Sequence, residues 1–406
     1  MQKEIFEFLD EQAGFVVELQ KNMTAIPAIG PDNGGDGEVK KAAYLMGVLK
    51  KMGFSEIREI NAKDERVPDG LRPNMAARIP GKKPRTLWII GHMDVVPPGD
   101  LRLWESNPYE LRQEGDLLYG RGVEDNQQAI VSALLAAKAV LDLKLTPDYS
   151  LGLVLVADEE THSFYGLHHV VEKAPDLISR DDLVIIPDIG DKFGKYIEIA
   201  EKACLWMKII ITGKQVHASV PDKGINTLLA SSAAVLALDE LHRLFPRRDD
   251  LFRPPYSTFV PSKKEANVEN INTIPGRDVF YVDCRVLPGI DLNEILRKAE
   301  EIVSEAVAPY KAGCKVETVF MEKAPAATSL EAPVVRRLLA SIGKLRNLEA
   351  SPIGVGGQTV AAILRARNIP VAGWATLLNN AHTPNEKSSI INTIADAKVI
   401  VDMLYD

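Results

Sequence analysis

Five short segments carry the residues best suited to chemistry. His92 and Asp94 follow the apolar run Leu87-Trp88-Ile89-Ile90-Gly91. Standing two apart, they point the same way in extended chain. Asp125 ends the stretch Tyr119-Gly120-Arg121-Gly122-Val123-Glu124 and precedes a predicted helix. An Asp there also serves as an ordinary N-cap. Asp158, Glu159 and Glu160 follow Val154-Leu155-Val156-Ala157. Three adjacent acids at a strand end repel one another unless cations or solvent compensate. Asp188 follows Leu183-Val184-Ile185-Ile186-Pro187, and His382 lies in Asn380-Ala381-His382-Thr383-Pro384-Asn385-Glu386.

Singly, each residue has a structural reading: a core histidine, a helix cap, a solvated acidic loop. As a set they deliver imidazoles and carboxylates to the carboxyl ends of predicted strands, the edge where sites assemble in open α/β sheets. Such donors suit zinc or a related divalent cation. No Cys belongs to the set, so a Cys-type structural zinc site is not indicated. The acids outnumber what one tetrahedral ion needs. Two ions sharing a bridging carboxylate would use them and cancel their repulsion.

The elements that must position these residues follow from periodicity. An amphipathic helix is expected over residues 1–21 and a second over 38–52. Strands are expected at 57–60, 74–79, 86–90, 149–156 and 183–186, with a helix over 125–143. The short apolar runs are of the buried-strand kind. Interleaved helices imply an α/β sheet. The pattern changes near residue 196. A long, partly alternating stretch, 197–211, reads as a strand pair or one long strand. A helix over 226–244, a Pro-rich loop at Arg253-Pro254-Pro255, strand 278–286, helix 292–306 and strand 315–320 follow. This β-α-β-β-α-β-like content predicts a smaller α+β domain, 204–321, inserted into a catalytic α/β domain of 1–203 and 322–406. The α/β texture then returns: helix 332–345, a Gly-rich loop at 354–357, helix 359–367, strand 371–375 and a C-terminal helix.

The chain has 406 residues, 46% hydrophobic and 26% charged, with net charge −8. That is globular composition for two or three domains. The acidic balance, with no Lys/Arg stripe, argues against nucleic acid as a partner. No apolar stretch approaches the roughly 20 residues of a membrane span, and the charged N-terminus does not read as a signal peptide. Cys204, Cys284 and Cys314 are few and odd in number. They read as buried thiols of a cytoplasmic protein, not as a disulfide framework.

The motifs Gly-His-Met-Asp (91–94), Gly-Arg-Gly-Val-Glu-Asp (120–125), Asp-Glu-Glu (158–160), Asp188 and Ala-His-Thr-Pro-Asn-Glu (381–386) occur in this order along the chain. In this the chain resembles the co-catalytic zinc amidohydrolases that include acetylornithine deacetylase, succinyl-diaminopimelate desuccinylase, aminoacylase, carboxypeptidase G and related di- and tripeptidases. The resemblance implies an amide hydrolase acting on a small N-acyl amino acid or a short peptide. It implies two divalent ions, zinc first, with cobalt or manganese as alternatives. His92, Asp125 and Asp188 would hold one ion. Asp125, Glu160 and His382 would hold the other. Asp94 would orient His92 through its ring N–H, and Glu159 would be the general base. The inserted domain would be the lid and the dimer contact of a homodimer. In relatives the lid histidine, here His217 in Gly213-Lys214-Gln215-Val216-His217-Ala218-Ser219, reaches the other subunit's site. There His217 would stabilise an oxyanion. Asn272, Arg285, Gly356, Gly357 and Thr359 match substrate-contacting positions. Arg285 would clamp a substrate carboxylate.

Other readings stay open beside these. Arg285 serves equally as an ion-pair partner at a strand end, Asn272 as a turn residue and Thr359 as a helix start. Three positions depart from the family pattern: Gln127 replaces the usual Lys, Thr161-His162-Ser163 follows the acids, and Gly354-Val355-Gly356-Gly357-Gln358-Thr359 replaces a Gly-Thr-Ser-Asp loop. These leave the substrate open between acyl amino acids and dipeptides. Asp188, where desuccinylases have Glu, tilts toward acetylornithine deacetylases and dipeptidases. A non-catalytic binding protein on the same fold is the reading of another class.

Overall fold

The computed structural model describes residues 2–357 and 359–405. The runs Thr86–His92 and Ser150–Val156 are buried at every position. That fits parallel strands covered on both faces. They pair in parallel from Thr86↔Ser150 to His92↔Val156. Leu183–Asp191 lies parallel on the other side of Thr86–His92, and Val371–Thr376 lies parallel to it in turn. Met75–Ile79 and then Glu56–Glu59 extend the sheet in antiparallel fashion beyond Ser150–Val156. The strands bearing His92, the acidic turn and Asp188, and the one leading to His382, therefore all end at one edge.

Helices cover both faces of this mixed sheet. Gln127–Asp142 is rich in Ala and buried along most of its length. It packs on the Thr86–His92 strand and against the C-terminal helix Ile390–Met403. On the other face Trp88, Ile90, Val154, Val156, Val184 and Ile186 form a core with Leu167, Val170 and Leu364 from the helices Leu167–Lys173 and Ala361–Arg365.

The chain divides into two compact units. One comprises Met1–Ile199, Ala327–Pro352 and Thr359–Asp406; the other comprises Ala200–Ala326 and Ile353–Gln358. The second unit holds an antiparallel sheet in the order Thr258–Lys264, Arg277–Val286, Ala203–Thr212, Gly313–Glu322. The helices Thr227–Ala237 and Leu292–Val307 pack on it around Leu205, Met207, Ile209, Phe280, Val282, Ile295 and Val303.

Several expectations are corrected. The N-terminal segment is two helices, Gln2–Asp10 and Ala13–Thr24. They part at a turn where the Gln12 amide donates to the Leu9 carbonyl. Of the two readings of the 197–211 stretch, two strands is the one found, Tyr196–Glu201 and Ala203–Thr212. Between them Lys202 is buried, its Nζ donating to the carbonyls of Pro254 (2.9 Å) and Tyr256 (2.6 Å). The 226–244 helix breaks into Thr227–Ala237 and Glu240–Leu244. The strand Leu183–Asp191 continues through Asp188 rather than ending before it. The residues 353–357, expected in the first domain, group with the second unit. There the Gly354 amide donates to the Leu251 carbonyl at 2.7 Å.

One glycine shows how tightly the sheet is covered. A Cβ on Gly152 would lie 2.2 Å from the Trp88 ring. The indole occupies that space, with Nε1 donating to Asp182 Oδ2 at 3.2 Å. Gly152→Ala should therefore lower the unfolding free energy by about 1–3 kcal/mol, the cost of overpacking a dense core. Urea denaturation measures this; unchanged stability would contradict the packing described.

Candidate metal centre

His92 ends its strand and is buried. Its Nδ1 lies 3.0 Å from the main-chain carbonyl of Asp94 and 3.5 Å from the Asp94 carboxylate. A proton on Nδ1 shared with that carbonyl leaves Nε2 to face the site. The Asp94 carboxylate accepts from the amides of Glu159 (3.1 Å) and Glu160 (3.0 Å), and so fixes the acidic turn. Asp94 thus orients the imidazole through its backbone and the two glutamates through its side chain.

Asp125 joins the two histidines. Its Oδ1 is 2.9 Å from His92 Nε2, and its Oδ2 is 3.0 Å from His382 Nε2. His382 Nε2 also lies 3.0 Å from Glu160 Oε2. Asp188 Oδ1 is 3.9 Å from His92 Nε2, and Glu159 Oε2 is 4.0 Å from it. Two triads result, each with its donor atoms within 4.8 Å of one another: His92, Asp125 and Asp188, then Asp125, Glu160 and His382. Glu159 belongs to neither.

The charges are mutually frustrated. Burial pushes the Glu159 carboxyl well above its ordinary range, and Asp188, Glu160 and Asp125 add to the rise against the opposing pull of His92. Burial, followed by the charge of Asp125, takes Asp188 up to about 7. Burial works against the Asp125 carboxylate too, but hydrogen bonds from His382 and His92 hold it well below the usual range. Hydrogen bonds to Asp125 and Glu160 raise His382 to about 10. Burial opposes protonation of His92, yet Asp125 and Asp94 drive it well above normal. Burial and like charge thus favour the protonated forms of Glu159 and Asp188. Divalent ions reverse that logic, and the N/O donor set fits them.

Asn126 is a site residue that no motif or periodicity marks. Its side-chain NH2 donates to the Pro187 carbonyl and to Asp188 Oδ1, both at 3.0 Å. Its Oδ1 accepts from the His92 amide at 3.3 Å. One amide therefore ties the His92 and Asp188 strands to the start of the long helix. A Cβ on Gly91 would come 2.9 Å from that Oδ1, so the glycine before His92 is the one available signal. The Asp125–Asn126 peptide is cis.

The first unit thus assembles His92, Asp94, Asp125, Glu159, Glu160, Asp188 and His382. Thr359 belongs to the same unit, and its Oγ1 accepts from the Ala361 amide at 3.1 Å, as a helix start does. His217, Asn272, Arg285 and Gly357 belong to the second unit. There His217 is exposed, with Nδ1 2.7 Å from Ser219 Oγ and Nε2 3.5 Å from Asn272 Nδ2. Arg285 pairs with Asp283 through Nε (2.9 Å) and Nη2 (3.1 Å), and its Nη1 lies 3.5 Å from the Gly356 carbonyl. Gln358 lies outside the described residues. Gln127 is buried, and its Oε1 accepts from Thr24 Oγ1 at 3.1 Å. His162 is exposed, its ring 6.0 Å from that of Phe164. No helix among the described residues is long and apolar enough to cross a membrane.

A 38% identical relative is an uncharacterized metallohydrolase of Methanococcus maripaludis; the match covers 96% of this chain and 98% of that one. A succinyl-diaminopimelate desuccinylase of Wolbachia pipientis is 25% identical over 92% of this chain and 88% of its own length. The crystal structure of human carnosine dipeptidase 1 superposes with a TM-score of 0.75 at 16% identity, covering 99% of this chain and 98% of that one. At that identity the likeness speaks for the fold. The model of peptidase family M20/M25/M40 matches residues 88–406, which span all seven residues assembled in the first unit. The chain belongs to that family and is a metallohydrolase.

Proposed function

We propose that this metallohydrolase cleaves the amide bond of a small N-acyl amino acid with two divalent ions, zinc first. One ion would be held by His92, Asp125 and Asp188, and the other by Asp125, Glu160 and His382. The observation that carries the reading is Asp125, whose two oxygens face two imidazoles at 2.9 and 3.0 Å while Glu159 stands largely buried outside both triads. When bound, the ions would acidify a water and polarise the scissile carbonyl.

The chain's own residues supply the rest. Glu159 takes the proton of the attacking water and passes it to the leaving amine. Its secluded position favours the protonated form, and cations beside it bring the carboxyl back toward the range useful near neutral pH. Asp94 holds the backbone of Glu159 in place. His217 would donate to the developing oxyanion, with Asn272 beside its ring. Arg285 would take the substrate carboxylate, its guanidinium plane held by Asp283; Gly357 and Thr359 would complete that contact. The second unit would serve as lid and as the contact of a homodimer. Its helix Thr227–Ala237 leaves Leu228, Leu229 and Leu236 exposed, which supports a partner surface.

The relative named a desuccinylase favours acyl amino acids. A dipeptide substrate is the second reading, left open by Asp188 where desuccinylases have Glu. Amine release from N-acetylornithine, N-succinyl-diaminopimelate, N-acetyl amino acids and dipeptides separates the two. One acylated amino acid should dominate, whereas preference for dipeptides supports the second reading and no release across the panel contradicts both.

Two further outcomes follow from the geometry. Glu159→Gln should lower kcat by about 10²–10⁴-fold, the range for loss of a general base, while metal content stays unchanged. Turnover equal to the parent's would remove Glu159 from that role. Metal uptake should also release protons, because ligation needs His382 neutral and Asp188 ionised. With His382 at about 10 and Asp188 at about 7, affinity should rise as pH increases from about 6 to 10. Calorimetric zinc titrations at about pH 7.5, in buffers of different ionisation enthalpy, should show proton release. Absence of release would contradict these ligand assignments.

A further inference from the structure

Two buried glutamates outside the triads connect the loops on which Asp125 and His382 stand. Glu386 lies four residues after His382 and is fully buried. Its Oε2 accepts from Arg121 Nη1 (2.6 Å) and the Gly122 amide (2.9 Å). Its Oε1 accepts from the amides of Glu124 (2.9 Å) and Asp125 (3.0 Å). The 121–125 loop thus wraps the carboxylate with three backbone donors, as a nest wraps an anion. Asp125, the residue facing both imidazoles, is one of those donors.

The reverse connection comes from Glu124, next to Asp125 and also buried. Its carboxylate accepts from the amides of Leu378 and Asn380 and from Asn380 Nδ2, the last two at 2.8 and 3.0 Å. Asn380 Nδ2 donates as well to the Lys387 carbonyl at 2.9 Å, which closes the 380–387 loop on itself. His382 sits inside that loop at φ +63°, its side chain half exposed. Two loops from distant parts of the chain therefore exchange buried carboxylates.

We infer that Glu124 and Glu386 form a reciprocal clamp that sets the separation of Asp125 and His382, and so tunes the ion site of Asp125, Glu160 and His382 more than that of His92, Asp125 and Asp188. The inference rests on the two-ion reading. The His92 side has its own anchor in Asn126, which contacts the His92 and Asp188 strands. On the His382 side Asn385 ties the loop to Leu103 and Glu105, not to the Asp125 loop: His382 Nε2 contacts Asp125 and Glu160, and the side-chain ties between its loop and that of Asp125 run through the two glutamates. Replacing either carboxylate by an amide turns acceptor oxygen into donor NH2 facing backbone N–H groups. The clamp then loosens without a change of volume. Both are positioning residues, since neither reaches the ions.

The test is cobalt(II) titration of the metal-free full chain, followed by the visible d–d bands and by calorimetry, for the parent, Glu386→Gln, Glu124→Gln and the double variant. Thermal melts of the metal-free proteins run alongside. The parent should take up two cobalt ions per chain. Each single variant should bind one of them about 10- to 100-fold more weakly, the usual cost of losing such a supporting contact. The other should stay within about threefold of the parent, since its own anchor is untouched. The double variant should resemble the singles, because all three break one clamp. Glu124→Gln decides the matter if Glu386→Gln does not fold. Equal weakening of both ions, or a lower melting temperature with unchanged cobalt affinities, would overturn the clamp and leave the two-ion reading intact. A parent that binds fewer than two ions would overturn the two-ion reading instead.

Discussion

The crowding of carboxylates around two imidazoles is the constraint on which the rest of the structure depends. Two like charges about 4 Å apart repel by about 4 kcal/mol at an effective dielectric of about 20. A domain is stable by only about 5–15 kcal/mol. Asp125, Glu159, Glu160 and Asp188 cannot all be ionised there unless positive charge balances them. Burial pushes Glu159 and Asp188 toward their protonated forms, and carboxylate partners do the same for both histidines. Divalent cations would meet the same constraint with the acids ionised and the imidazoles neutral. That is the state in which every member of the two triads can act as a ligand.

The scaffold keeps this arrangement in place through buried carboxylates that hold the acidic turn from behind. The Asp94 side chain holds the Glu159 and Glu160 amides. Below the acidic turn, Asp158 accepts from the Tyr165 amide at 2.9 Å and lies 3.3 Å from Arg72, which also pairs with Glu38. Such a buried network is costly if half satisfied. Here the Arg72 guanidinium supplies positive charge, and backbone amides of the acidic turn and of Tyr165 supply the remaining donors. The parallel strands do the remaining work by ending at one edge, so residues as distant in the chain as His92 and His382 share the carboxylate of Asp125.

Much of this is legible in the sequence because parallel strands buried on both faces read as continuous apolar runs. The residues after Ile90, Val156 and Ile186 can therefore be placed at a common edge from the pattern of apolar runs alone. That logic, together with the family's motifs, points to the seven residues of the centre. Polar support leaves no periodic signal and stays hidden. Glu124 and Glu386 sit inside the motifs and Asn126 directly follows one, but their roles depend on backbone amides of distant loops. The helix breaks near Gln12 and Leu238 are invisible because apolar spacing continues across them. The polar edge strand Thr258–Lys264 lacks the alternation that would mark it. The ion pair of Arg285 with Asp283 is one of two readings the sequence leaves open, and it is the contact found.

The most direct test of the two-ion account is a crystal structure of the zinc-loaded protein with anomalous differences collected on both sides of the zinc absorption edge. The account predicts two zinc peaks per chain, one contacting His92, Asp125 and Asp188 and the other contacting Asp125, Glu160 and His382, with Glu159 bound to neither. A single peak, a peak coordinated by Glu159, or zinc bound away from Asp125 would contradict it.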